Sequence, residues 1–387
     1  MAFKDITKVL YDGKYKLDYK DKAHRYYVRE RVNFELPEDD PKAWGKIQYP
    51  KGTTTLLGDT LEKKGLMTWP LGLALGELFG FYNFTNDEGE KMIGFSKDKG
   101  TLWEDGHLLH LDKETALPLI KSASEAWQRK QKKGADIGSI VHDAIEHYIL
   151  GQPFDIQEQY NWAIKEAWPL PDPGQEDQWE TERNLAFDEA PLDVEMATKA
   201  FLQFEKWWLT VQPTLHGAEE ILLSVKHRPF IVGTYDADIS VGVNHHPVFS
   251  LPTEKVPIKF AEIYNRVHEK GAVRATTDWK TSNASKSKDA AAPEGIYYSY
   301  FIQDAVYEMM RREMGFEPAD DLLAVSARKD GGFGPIWASE LGLTVDECLE
   351  WAEAVILCNR LMTQAKEGLL AHGEAVLNQI NPTKEAF

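Results

Sequence analysis

The sequence predicts an α/β (α+β) fold in which helices flank a central mixed β-sheet. Three observations lead there: helical and strand-like apolar periods alternate along the chain, the strand-like runs cluster in its second half, and Gly and Pro separate them. No internal repeat or long low-complexity tract points elsewhere.

In chain order, residues 1–60 mix short strand-like runs with turns. Arg25–Val28 is one such run, and Pro50-Lys-Gly52 punctuates before Thr53–Leu57. Helices are expected near 66–82, with Gly72, Gly76 and Gly80 on one face, and near 114–131. Ile137, Ile140, Val141, Ala144, Ile145 and Tyr148 recur at helical spacing across Asp136–Leu150, and Gly151 ends that helix. Residues 168–193 are rich in Pro, Asp and Glu and read as a surface insertion or linker ahead of an aromatic-rich helix, Met196–Leu209. Ile221–Val225 and Phe230–Val241 form a hairpin around His227-Arg-Pro229, and Ala272–Ser282 is a strand. Ile296–Met314 is a helix ended by Gly315, and Leu322–Ala327 with Ile336–Ser339 makes a second hairpin. Thr344-Val-Asp-Glu347 is a capping box that opens the last long helix.

Composition narrows the class. A chain of 387 residues is either one large domain with additions or two domains. Its 43% hydrophobic and 27% charged residues, with twelve Trp and seventeen Phe, suit a soluble globular protein. Cys348 and Cys358 lie ten apart in one expected helix, a spacing that fits neither a disulfide framework nor a zinc site. An iron–sulfur cluster takes four thiolates as a rule, so none is expected, and the cysteine usage points to a reducing, cytoplasmic setting. The N-terminus lacks the apolar run of a signal peptide, and Leu66–Tyr82, the most apolar stretch, falls short of the ~20 residues of a membrane span. No phosphate-binding G-x-x-x-x-G-K-[S/T] loop is present, so no nucleotide is expected. The net charge of −18 argues against a broad phosphate-binding surface but leaves room for a local basic channel.

Four segments carry chemistry. In Thr277-Asp-Trp-Lys-Thr281, residues two apart on a strand share a face, so Asp278 and Lys280 point one way and Trp279 the other. Alone, the pair is equally a salt bridge. In Val232-Gly-Thr-Tyr-Asp-Ala-Asp238, Gly233 permits close backbone approach, and Asp236 and Asp238 share a face. Neighbouring carboxylates favour a proton or a cation between them, and oxygen donors suit Mg²⁺ or Mn²⁺; two acids on a solvated edge is the plain alternative. In Gly138-Ser-Ile-Val-His-Asp-Ala-Ile-Glu146, His142 and Glu146 lie on one helix face, His142 bordering an apolar stripe where a satisfied core histidine is the commoner outcome. In Gln303-Asp-Ala-Val-Tyr307, Gln303 and Tyr307 are one turn apart and can donate hydrogen bonds to a phosphate, or simply form the polar rim of a helix.

Taken together and in this order, the segments resemble RecB-type nucleases of the PD-(D/E)XK superfamily. Gly138, His142 and Glu146 match a G-x-x-x-H-x-x-x-E helix, Gly233 and Asp236 a G-x-x-D strand, Asp278 and Lys280 a D-x-K strand, and Gln303 and Tyr307 a Q-x-x-x-Y helix. The similarity covers roughly 134–310. His24-Arg-Tyr-Tyr27, Thr53–Leu57 and Trp69 are more loosely similar to the opening segment of phage-encoded members. Asp236 keeps the G-x-x-D spacing and is preferred to Asp238. The chain departs from the family in placing Asp236 and Asp278 42 positions apart, which makes 242–271 an insertion holding His245, His246 and a short helix, Phe260–Glu269.

The resemblance implies a restriction-endonuclease-like nuclease core over 113–387, with insertions near 168–193 and 242–271, and residues 1–112 as an N-terminal extension packed on it. It implies a Mg²⁺-dependent deoxyribonuclease, with Mn²⁺ able to substitute, and favours an exonuclease of phage-type recombination, repair or DNA degradation. Asp236, Asp278 and Lys280 would be catalytic, supported by Glu146 and His142. His142, Asp236, Asp278 and the Trp279 carbonyl would hold metal. Gln303, Tyr307, Lys286 and Lys288 would contact DNA phosphate, as could Arg129, Lys130, Lys132 and Lys133. Glu219 or Glu220 is a further candidate acid. Expected partners are DNA, a single-strand annealing protein and further copies of the chain, without a membrane and in the host cytoplasm if phage-encoded. Two other readings stay open: a catalytically silent DNA-binding or assembly module on the same fold, and a different hydrolase using Asp236 and Asp238 as acid and base.

Overall fold

The computed structural model describes residues 5–20, 25–61, 81–85, 91–95, 103–104, 107–108, 137–165, 176–282 and 296–380. The helix expected near 114–131 lies outside them, as does the one near 66–82 except for its last two residues, which open a strand. The chain divides into two compact units, residues 1–61 with 140–387 and residues 62–139.

The first unit begins with an antiparallel meander of β1 (Ile6–Leu10), β2 (Tyr15–Lys20) and β3 (Arg25–Glu30). A short strand, β4 (Lys51–Gly52), then leads into α1 (Thr53–Thr60). In the second unit β5 (Phe81–Thr85) pairs antiparallel with β6 (Lys91–Phe95), and β7 (Trp103–Glu104) with β8 (His107–Leu108).

α2 (137–149) begins in the last residues of the second unit and carries the chain back into the first, which continues with α3 (Ile156–Lys165) and α4 (Glu176–Val211). The described part of the expected 168–193 linker is therefore helix, continuous with the expected Met196–Leu209 segment. Pro191 removes one helical N–H, but the turn it interrupts is tied down: Asp193, buried, accepts the Tyr160 hydroxyl of α3. Next come β9 (Thr214–Ser224) and β10 (Ile231–Gly242), the expected hairpin with longer arms.

Residues 242–271 hold three short 3₁₀ turns and α5 (Ala261–Lys270), stopped by Gly271 at φ +72°. β11 (Ala272–Ser282) matches the expected strand, and α6 (Tyr298–Glu313) lies within the expected helix. β12 (Asp321–Arg328) and β13 (Phe333–Trp337) form the second hairpin, and α7 (Val345–Ile380) follows the Thr344–Glu347 capping box.

Six strands make one mixed sheet in the order β13-β12-β11-β10-β4, with β9 also on β10. β11 and β12 are parallel, so their connection must cross a face of the sheet, and α6 lies within it. Ile231 pairs with both Ser224 and Lys51, and Ala237 with both Ala218 and Thr277. β9 thus occupies one edge of β10 while β4 and β11 share the other.

Helices cover both faces. Phe301, Ala305, Val306 and Met310 of α6 pack with Leu322 and Ala324 of the sheet and with Cys348, Ala352 and Ile356 of α7. On the opposite face Trp279 sits under Phe204 and Trp207 of α4, ring centroids 5.0 and 6.3 Å away. Leu17 and Val28 of the meander close over Ile221, Leu223, Phe230 and Val232. The 242–271 segment is pinned to β12 and β13 by His246, which is fully buried, pairs with Asp321 at 3.1 Å and lies against Phe249 and Trp337, whereas His245 is exposed. No helix among the described residues is long and apolar enough to cross a membrane.

Gly233 is where three elements meet most tightly. A Cβ there would lie 2.6 Å from both Thr53 Oγ1 of α1 and Tyr307 Cε1 of α6, closer than non-bonded atoms tolerate. Gly233→Ala is expected to lower stability by about 1–3 kcal/mol through overpacking, measured by urea unfolding; an unchanged midpoint would show that the contact yields freely.

Candidate functional site

The β10–β11 ladder runs from Gly242↔Ala272 to Ala237↔Thr277 and stops. The next two residues in that register are Asp236 and Asp278, 7% and 2% exposed. The Asp236 carboxylate accepts the main-chain N–H of Trp279, so a side chain serves where a main-chain partner would otherwise be sought. β9 yields at the same level. Its ladder with β10 pairs Tyr235↔Glu220 and Ala237↔Ala218 but skips Asp236 and Glu219, and Glu219 takes a left-handed φ of +50°. A non-glycine residue in that region is strained, and here the strain coincides with the acidic site.

Around this open end the expected residues gather. Lys280 forms an ion pair with Asp278 and donates to Gln303 Oε1 at 3.3 Å. Gln303 Nε2 lies 3.4 Å from Asp278 Oδ1 and donates to the Tyr307 hydroxyl at 2.8 Å. His142 Nδ1 of α2 is 3.6 Å from Asp236 Oδ2. The Trp279 ring faces the other layer, as strand alternation requires. Tyr300, not singled out from the sequence, lies with its ring 5.0 Å beneath the Lys280 ammonium, one helical turn before Gln303 and Asp304. Its spacing was a usable signal only once α6 was known to face Lys280.

The electrostatics follow from burial and crowding. Burial opposes the Asp236 charge, but His142, Lys280 and the Trp279 N–H hold its pKa below the usual carboxylate value. Asp278 is pushed up to about 6 by burial and by Asp236, against the pull of Lys280. Burial lowers the basicity of His142 and of Lys280, yet neighbouring carboxylates outweigh it and raise both. Glu219 is pushed well above the carboxylate range by burial and by the charges of Asp236, Glu146, Asp143 and Asp278. Glu146 and Glu219 therefore belong to this acidic group; Glu220 instead accepts the Tyr235 hydroxyl at 3.0 Å.

Asp238 has a different fate from Asp236, although period-two alternation assigns them one face. Arg274 grips it through Nε at 2.9 Å and Nη2 at 2.6 Å, and Arg311 pairs with it as well. Arg311, fully buried, also bonds Glu308 at 2.8 Å and Thr276 at 2.6 Å. Lys286, Lys288, Arg129, Lys130, Lys132 and Lys133 lie outside the described residues.

Among the described residues no three His, Cys, Asp or Glu side chains are drawn together as a finished metal cage. Asp278 is turned to Lys280, and Asp236 to Trp279 and His142. The donor chemistry nonetheless fits a hard divalent cation. Buried carboxylates crowd one place, and their repulsion is relieved by Lys280, by His142 and the Trp279 N–H at Asp236, and by raised acid pKa values at Asp278 and Glu219. Comparison with models of known protein families found no match, and comparison with curated proteins found none.

Arg311 holds two buried acids in check. Arg311→Leu leaves Asp238 and Glu308 short of a counter-charge and is expected to cost about 3–5 kcal/mol, read from chemical unfolding; a loss within ~0.5 kcal/mol would show that Arg274 and Arg312 suffice.

Proposed function

We propose that the protein is a Mg²⁺-dependent DNA nuclease of the PD-(D/E)XK type, acting as an exonuclease that hydrolyses phosphodiesters with water. One observation carries the reading: Asp236, Asp278 and Lys280, from adjacent strands, meet at the open end of a single ladder, with Gln303 and Tyr307 ranged against them. The paired acid–base alternative loses its geometry, because Asp238 is consumed by two guanidinium groups.

In this reading Asp236, Asp278 and the Trp279 carbonyl hold the cation, with His142 beside Asp236. A divalent cation supplies Lewis-acid polarisation of the phosphate and makes water a stronger nucleophile at neutral pH. The chain's own groups do the rest. Lys280, kept protonated by its acidic neighbours, offsets the negative charge that develops on the phosphoryl oxygens. Gln303 restrains Lys280 and Asp278 together, and Tyr307 restrains Gln303. His142 orients Asp236. The low exposure of both aspartates reduces competition from bulk water.

Purified protein is expected to degrade linear DNA from its ends with Mg²⁺ or Mn²⁺, to spare closed circles and to stop on chelation. Asp278→Ala and Lys280→Ala should each cut the rate by at least roughly 10²–10³-fold while the proteins still melt cooperatively; normal cleavage by both variants would remove the site assignment.

A pH dependence follows from Asp278, whose carboxyl group burial pushes up to about 6 in the folded state, above the 3.8 of a free aspartate. The folded metal-free protein keeps a proton that the unfolded chain releases across that window, so its stability declines as pH rises toward and through 6. A cation must displace the proton below that point. Calorimetry should show Mg²⁺ affinity steady above about pH 7 and falling, by up to ~tenfold per pH unit, below about 6; a flat profile would argue against Asp278 as a ligand.

A further inference from the structure

Asp304 stands beside Gln303 on α6 and has no role in the scheme above. Its side chain is fully buried, and among the described residues neither carboxyl oxygen has a hydrogen-bond partner. Its helix neighbours Phe301 and Ala305 belong to the apolar core shared with Cys348 of α7. A carboxyl group in such a place is costly, charged or not, and an apolar side chain of similar volume would be more stable there. Two facts tie the group to the catalytic cluster. Asp304 follows Tyr300 by one helical turn, on the stripe whose aromatic ring lies under the Lys280 ammonium, and Lys280 is held by the adjoining Gln303. Burial, with the charges of Asp278 and Asp236, holds the Asp304 acid well above the usual carboxylate range against the pull of Lys280, and Lys280 in turn feels Asp304.

We propose that Asp304 is a positioning residue for Lys280: when Asp278 turns from Lys280 to a divalent cation, the ammonium passes to Asp304 and is held there against the α6 helix, facing the reacting phosphate. The inference rests on the nuclease reading. As folded, Lys280 and a cation compete for Asp278. Without a second carboxyl group, a cation that took Asp278 would leave the half-buried ammonium its bond to the neutral Gln303 in place of an anionic partner, and the cation's affinity would suffer for it. Asp304 supplies the acceptor: burial and the nearby Asp278 charge keep it protonated in the metal-free fold, and once Asp278 is taken by the cation it gives that proton up to water as the ammonium arrives, which accounts for a buried carboxyl group kept without a partner among the described residues.

The test is a double-mutant cycle on the full chain, with Mg²⁺ binding measured by calorimetry, melting measured without metal, and turnover measured on linear DNA. Asp304→Asn should leave metal-free melting unchanged or raised, weaken Mg²⁺ roughly tenfold, and lower kcat while KM for DNA holds. In a Lys280→Met background the same Asp304→Asn change should leave Mg²⁺ affinity unaltered, because no ammonium then needs a second acceptor. Asp304→Leu serves as the apolar counterpart, with higher melting temperature and the same weakened Mg²⁺ binding. Unchanged Mg²⁺ affinity in Asp304→Asn overturns the proposal, and so does a loss that persists in Lys280→Met, since that would be a plain charge effect. A wild-type chain that binds no Mg²⁺ overturns the nuclease reading as well, whereas wild-type cleavage with an inert Asp304 overturns this inference alone.

Discussion

Asp236 and Asp278 face each other across adjacent strands in a poorly hydrated place, and their mutual repulsion shapes what surrounds them. The ladder that joins their strands ends one pair short of them. Asp236 is satisfied by a main-chain N–H and an imidazole, Asp278 by an ammonium. Glu219, on the third strand at the same level, takes a left-handed backbone and a raised pKa. Each is a local answer to an excess of negative charge that a divalent cation would answer at once, and the function proposed above grows from that excess.

α6 is the element through which this arrangement is held. Its buried face supplies Phe301, Ala305, Val306 and Met310 to the core, while Tyr300, Gln303 and Tyr307 reach the strands that carry the acids. The close fit at Gly233 sets its distance from β10, because nothing larger than hydrogen fits between that backbone, Thr53 and the Tyr307 ring. One turn further on, Arg311 and Glu308 build a second ionic group with Asp238, Arg274 and Thr276. The helix thus separates two acids two residues apart in sequence: Asp238 is locked in this ionic network, while Asp236 stays with Asp278 at the open end of the ladder.

Much of the framework was readable from the chain. β11 and the capping box at Thr344 coincide with their expected limits, and α2, α6 and both hairpins differ only at their ends, because period-two and helical apolar patterns with Gly stops are local signals. The exceptions have local signals of the wrong kind. Pro191 and the acidic run before it suggested a linker, but the buried Tyr160–Asp193 contact helps carry the helix through. His246 could be placed in an insertion but not assigned, since its partners Asp321 and Trp337 come from distant positions.

For the site, the sequence by itself determined which residues were chemically capable: Asp236, Asp278, Lys280, His142, Glu146, Gln303 and Tyr307 were all identifiable from residue type and spacing. Alternation alone treated Asp236 and Asp238 as equals and left Glu219 and Glu220 indistinguishable. Only the tertiary structure separated them, by bringing Arg274 and Arg311 to Asp238 and Tyr235 to Glu220 while turning Glu219 toward the acidic group. The physical reason is that spacing fixes which way a side chain points from its own strand, whereas its charge state and its partners depend on what other elements bury against it.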